Sequence, residues 1–301
     1  MTNPETFKPH VKNLRVLLSL SACLCMTLML VYRMGPSIVD PDIWHEMALI
    51  RTTLDLGFIP YQDGFAYTET IYPSVHHEWA AGLIAYSLSS YFGAAGIVIL
   101  RYLLTFFLIS SLIYSLKKCK AKFSIILFFL PIPIFLWSYG ASTVRAQMYS
   151  FVFTAFLLIF LDSDNRGHRW WIPIWLVLFT MWLNLHGGFL VGLGLIVTYC
   201  FEQIIRNKPY KHIIVVLLLM IVLIVVNPYG IHYYPYLLNA VTMKRPHISE
   251  WNSILTGSNF GEQLFFIISL LLSGYALWKR GFNNTKGIFL LLITAPTRTG
   301  K

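Results

Sequence analysis

The side chains able to do chemistry in this sequence are concentrated in six short stretches. In order they are Asp40-Pro41-Asp42-Ile43-Trp44-His45, His76-His77-Glu78-Trp79, Arg145-Ala146-Gln147, Asn184-Leu185-His186-Gly187-Gly188, Asn227-Pro228-Tyr229-Gly230 and Ser249-Glu250-Trp251. Asp40 and Asp42 could hold a divalent cation such as Mg2+ or Mn2+ between them, or one could serve as a general base oriented by the other. Pro41 favours extended backbone before it. An extended Asp-Pro-Asp sets the two carboxylates on one side, about 7 Å apart at roughly 3.3 Å per residue. The competing reading is that an Asp caps a helix starting near Ile43.

Glu78 adds a third carboxylate of candidate catalytic type, next to His76, His77 and Trp79. Such groups at a membrane surface are costly unless paired or wetted, so they are expected to face a cavity. The alternative is an interfacial Trp with a Glu that favours a helix N-terminus. Arg145 has the planar fork suited to a phosphate oxygen, although a lone Arg at a bilayer edge can also snorkel. Gln147 lies two residues on. Asn184, His186 and the Gly187-Gly188 pair could let backbone approach a ligand, or simply end a helix. Trp44, His45, His77, Trp79, Glu250 and Trp251 are candidate substrate-binding groups, with Glu250-Trp251 offering a carboxylate beside an aromatic platform suited to a sugar ring. Asn227-Pro228-Tyr229-Gly230 reads foremost as a helix stop and turn. No His-Glu-x-x-His spacing is present, so a zinc protease is not indicated.

These stretches are positioned by apolar segments. The chain is 301 residues long, 56% hydrophobic and only 12% charged, with a mean hydropathy of +0.63. An ordinary soluble domain has roughly 25% charged residues. Apolar runs near the roughly 17–25 residues needed to cross a bilayer fall at about 17–32, 94–116, 123–138, 148–161, 170–183, 189–205, 213–226 and 264–278. A partial ninth begins at Gly287, and a membrane-level helix near 80–92 follows the first loop. The expected architecture is an all-α, polytopic transmembrane helical bundle of about eight full spans, forming one domain over 1–301. Pro131 and Pro133 inside the third run predict a kink.

Orientation follows from charge. With the N-terminus inside, fifteen of the 23 Lys and Arg residues fall in inside segments and six in or beside outside ones. That is the positive-inside pattern, and it argues against a nucleic-acid surface despite the net charge of +10. All six polar stretches then emerge on the same, extracytoplasmic side. The main outer loops are 35–79, which carries the acidic motif, and 227–261. The first apolar run reads as a retained signal anchor, since no small-residue cleavage site precedes Arg33-Met34-Gly35. Cys23, Cys25, Cys119 and Cys200 suit neither an outer disulfide nor a zinc site.

The ordered set Asp40–His45, Gly57-Phe58-Ile59-Pro60, Asp63–Thr68, His77-Glu78-Trp79, Arg-x-Gln, Trp182–Phe189, Asn-Pro-Tyr-Gly and Glu-Trp, over about 10–280, resembles a bacterial family of multi-spanning membrane proteins. That family is similar to the GT-C class of glycosyltransferases, including protein mannosyltransferases and the aminoarabinose transferases that act on lipid A. The resemblance implies a polyprenyl-phosphate sugar donor, membrane lipid surroundings, an extracytoplasmic acceptor (lipid, glycan or protein) and inversion at the sugar carbon. It also implies an inner-membrane location and an Asp40 or Asp42 acting as base or metal ligand. The class generally has more spans, so the run that stops after Gly287 leads to the expectation of a truncated copy. A transporter or flippase of lipid-linked substrates and a non-catalytic envelope subunit remain the other readings. Oligomeric state is not set by the sequence.

Overall fold

A computed structural model describes residues 4–35, 38–118, 120, 122, 123, 126, 127, 130–243 and 260–281. The protein is mostly helical, with very little strand. The helices are α1 (Pro4–Met34), α2 (Pro41–Leu56), α3 (Trp79–Phe92), α4 (Ala94–Lys118), α5 (Pro131–Gly140) and α6 (Gln147–Asn165). After them come α7 (Trp171–Leu185), α8 (Phe189–Ile205), α9 (Lys211–Leu223), α10 (Tyr233–Thr242) and α11 (Phe260–Arg280). Two-residue strands β1 (Ile38–Val39) and β2 (Thr143–Val144) pair in parallel.

Among the described residues, two helices are long and apolar enough to cross a membrane: Val16–Met34 within α1, and α4. Helices α7, α8 and α9 are apolar but have 15, 17 and 13 residues. At 1.5 Å per residue they reach about 20–26 Å, short of a hydrocarbon core of about 30 Å. The expected ninth run lies outside the described residues. Pro131 stands at the start of α5, in the first turn where a missing N–H costs nothing, and residues 128 and 129 just before it lie outside the described residues.

Two compact units divide the chain. The first holds 1–60, 76–168 and 184–187. Within it α2 packs on α3, α3 on α4, α4 on α6, and α1 on α5. Gly82 makes the first of these contacts close, since a Cβ there would lie 2.6 Å from Glu46 Cβ and 2.7 Å from its backbone carbonyl. Gly93 turns the chain from α3 into α4 with φ +58°. The wholly buried Arg101 of α4 donates to the Met34 carbonyl, a C-terminal carbonyl that α1 itself leaves without an intrahelical partner. At the far end of α6, Asp162 pairs with Arg166 at 2.7 Å and Lys118 at 3.8 Å.

The second unit holds 61–75, 169–183 and 188–301. One face of α7 carries Trp171, Trp175, Phe179 and Trp182, all fully buried. Their spacing of three or four residues stacks them down one side of a helix. Trp175 meets Trp182 edge-on at 6.1 Å, and Phe179 meets Phe189 at 5.8 Å. Asn227 forms the expected turn, its Oδ1 accepting from the Tyr229 N–H at 2.7 Å. A cavity of about 590 Å³ opens beside Tyr72, His232, Tyr236 and Asn239.

Candidate functional site

The candidate site lies in the first unit and begins at the strand pair. Parallel register places Val39 beside Val144, and the Asp40 N–H donates to the Val144 carbonyl at 3.0 Å. The residues that follow each strand, Asp40 and Arg145, are thereby brought side by side. Arg145 Nε lies 2.5 Å from Asp40 Oδ2. The other carboxylate oxygen, Oδ1, accepts the Asp42 N–H at 3.0 Å and caps α2. The helix therefore starts at Pro41, and the extended Asp-Pro-Asp arrangement does not form. Proline at the first helical position and an Asp cap act together to start the helix there. With both Asp40 oxygens engaged, a cation shared between Asp40 and Asp42 would have to compete with Arg145.

Asp42 stands in the first turn of α2, exposed at its surface. Its pKa is raised by partial desolvation and by the neighbouring Asp40 and Glu78 carboxylates, against the pull of Arg145 and His77. A carboxylate so placed is a stronger base than an ordinary Asp.

The segment before α3 brings in the next groups. Glu78 Oε1 lies between two imidazoles, 3.4 Å from His77 Nε2 and 3.5 Å from His186 Nε2. Burial works to raise the Glu78 pKa, but the His77 hydrogen bond and both imidazoles outweigh it, and the pKa is lowered. Burial likewise opposes a charged His77, yet Glu78, Glu46 and Asp42 raise its pKa. His186 goes the other way. Burial pushes it down to about 4, so it is a neutral ring at pH 7. Its Nδ1 lies 2.7 Å from Ser150 Oγ. Trp79 donates its indole N–H to Asn184 Oδ1 at 2.9 Å, tying the start of α3 to the end of α7.

Four of the six polar stretches thus contribute to one place. Asp40, Asp42, Arg145, His77, Glu78, Trp79, Asn184 and His186 gather there. Trp44 and Gln147 are exposed, without a direct contact to this group among those described. Glu250 and Trp251 lie outside the described residues. Two residues escaped the sequence reading as site groups, Ser150 and Glu46, and His76 was named there only as a member of its stretch. Glu46 carried a signal, since it is a carboxylate on the α2 face that buries Ile43, Met47 and Ile50. His45 lies beside it, with its ring 5.4 Å from that of His76.

Compared with protein-family models, with curated proteins and with solved structures, the chain matches none.

Proposed function

We propose that this protein is an integral-membrane glycosyltransferase of the GT-C type, moving a sugar from a polyprenyl-phosphate carrier to an extracytoplasmic acceptor. The observation that carries the reading is the meeting of Asp42, Glu78, His77, Arg145 and His186, drawn from four distant stretches, in one unit. An anchor needs no such convergence. The proposed setting is a bacterial plasma membrane, with the N-terminus cytoplasmic and the other apolar helices completing a multi-span bundle. Two helices able to cross a bilayer support the membrane part.

In this reading the acceptor oxygen attacks the anomeric carbon as the bond from that carbon to the carrier phosphate oxygen breaks. Asp42 takes the acceptor proton, and polyprenyl phosphate leaves with both bonding electrons. Arg145, 40% exposed at its side chain and braced by Asp40, offers N–H groups to the phosphate charge. His186 is engaged by Glu78 and Ser150, so it suits orienting Glu78 better than binding phosphate. Glu78 would accept hydrogen bonds from sugar hydroxyls, with Trp44 or Trp79 packing on the ring.

The test is sugar transfer in purified membranes supplied with a panel of radiolabelled polyprenyl-phosphate sugars. Wild type should move label to lipid, glycan or protein, and Asp42→Asn should lose at least roughly a hundredfold in rate, within the range for a general base. Full transfer by Asp42→Asn at equal protein level refutes the base assignment. No transfer by folded wild type refutes the enzyme reading in favour of a non-catalytic envelope protein.

A further inference from the structure

We propose that His45, Glu46 and His76 form a site for one divalent transition metal of the zinc class, separate from the Asp40/Asp42 pair. One ligand atom from each of the three lies within 4.8 Å of the others, and His76 Nδ1 is 3.7 Å from Glu46 Oε1. Tetrahedral zinc, with bonds of about 2.0–2.2 Å, sets its ligand atoms about 3.4 Å apart. The three ligand atoms therefore need to close by at most about 1.4 Å to share an ion.

A second observation points to a ligand independently of that spacing. The Glu46 side chain is 8% exposed, and its Oε2 is buried with no hydrogen-bond partner among the described residues. A buried carboxylate oxygen without a donor is costly, and a cation removes that cost. Gly82 lets α3 approach the Cβ and backbone of Glu46 closely, at a position where the Glu46 side chain is buried.

The donor set decides the metal. Two imidazoles and one carboxylate suit zinc, cobalt or nickel, whereas Mg2+ and Ca2+ prefer oxygen alone. Three protein ligands leave a fourth position for water. The ion also has a positioning role. It fastens His76 to α2, and His77 and Glu78 follow directly in the chain. The site would hold whether or not the protein transfers sugar.

The experiment uses the purified full chain in detergent, titrated with Co2+ after chelator treatment. One Co2+ per chain is expected, with visible d–d bands of tetrahedral intensity that survive a large excess of Mg2+. Glu46→Gln and His76→Ala should each weaken binding more than about a hundredfold, beyond the 10–100-fold loss typical of outer-shell partners. The Asp40→Asn/Asp42→Asn double variant should retain the bands. Because substitutions at the buried positions can disturb folding, half-buried His45 supplies a gain of signal. His45→Cys should add a thiolate-to-cobalt charge-transfer band absent from wild type. The proposal is overturned if folded wild type binds no Co2+, or if His45→Cys binds Co2+ without the new band. Bands lost only in the Asp40→Asn/Asp42→Asn variant overturn it equally, by moving the ion to that pair.

Discussion

Asp40 performs two tasks whose energies can be separated by choosing the substitution. One oxygen caps α2 and the other pairs with Arg145. Asn caps a helix about as well as Asp, so Asp40→Asn removes the charge and keeps the cap. Two unit charges about 4 Å apart attract by about 4 kcal/mol at an effective dielectric of 20. The Arg145 side chain is 40% exposed, so solvent screening and desolvation of Asp40 reduce the net to about 1–2 kcal/mol. Asp40→Ala also loses the cap, adding about 1 kcal/mol. The expected ladder is therefore about 1–2 kcal/mol for Asn and about 2–3 kcal/mol for Ala. A double-mutant cycle of Asp40→Asn with Arg145→Gln should return a coupling of about 1–2 kcal/mol. Thermal unfolding in detergent, at roughly 2 °C per kcal/mol, reads these differences. Coupling below about 0.5 kcal/mol refutes the ion pair. Equal midpoints for Asp40→Asn and Asp40→Ala refute the cap.

Gly82→Ala drives a Cβ to within 2.7 Å of the Glu46 backbone, which cannot rotate aside, and should cost about 3 kcal/mol. Gly64→Ala meets nothing within 4 Å, so unchanged relative midpoints of the two variants would contradict the close α2–α3 approach. Trp79→Phe and Asn184→Ala should each cost about 1 kcal/mol and be non-additive when combined; simple additivity would mean their hydrogen bond is not formed. Between pH 6.5 and about 4 the unfolded chain binds a proton at His186 that the folded protein refuses, so stability falls as pH drops, by up to about 3 kcal/mol. Glu78, with its lowered pKa, adds to that loss as pH falls through it, whereas His77, with its raised pKa, contributes stability below pH 6.5 that is lost as pH rises through it. His186→Gln should flatten the acid limb of the midpoint-against-pH curve, and parallel curves for wild type and variant would rule out a buried neutral His186.

The helical character and the polar stretches were legible because they rest on local chemistry. Apolar run lengths located α4, α7, α8, α9 and the apolar part of α1 (Val16–Met34) within a few residues, although α1 itself begins at Pro4, and Asn227 announced its own turn. Helix α2 was legible only as an alternative. A Pro at the first helical position and an Asp cap read equally as an extended dipeptide, and which one forms depends on the strand pairing before it. Burial of Glu46 also depends on a partner that no local pattern names, namely Gly82 of α3.

By itself the sequence determined which residues carry charge and where apolar segments run, since both follow from composition and period along a single stretch. Only the tertiary structure decided which of those residues meet. Asp40 reaches Arg145 through a parallel pairing of two residues per strand, 105 positions apart and too short to leave a pattern. Glu78 lies between His77 and His186 because α3 begins against the end of α7. The direction of each pKa shift follows from that placement, because desolvation and neighbouring charge act through space and carry no mark in the sequence.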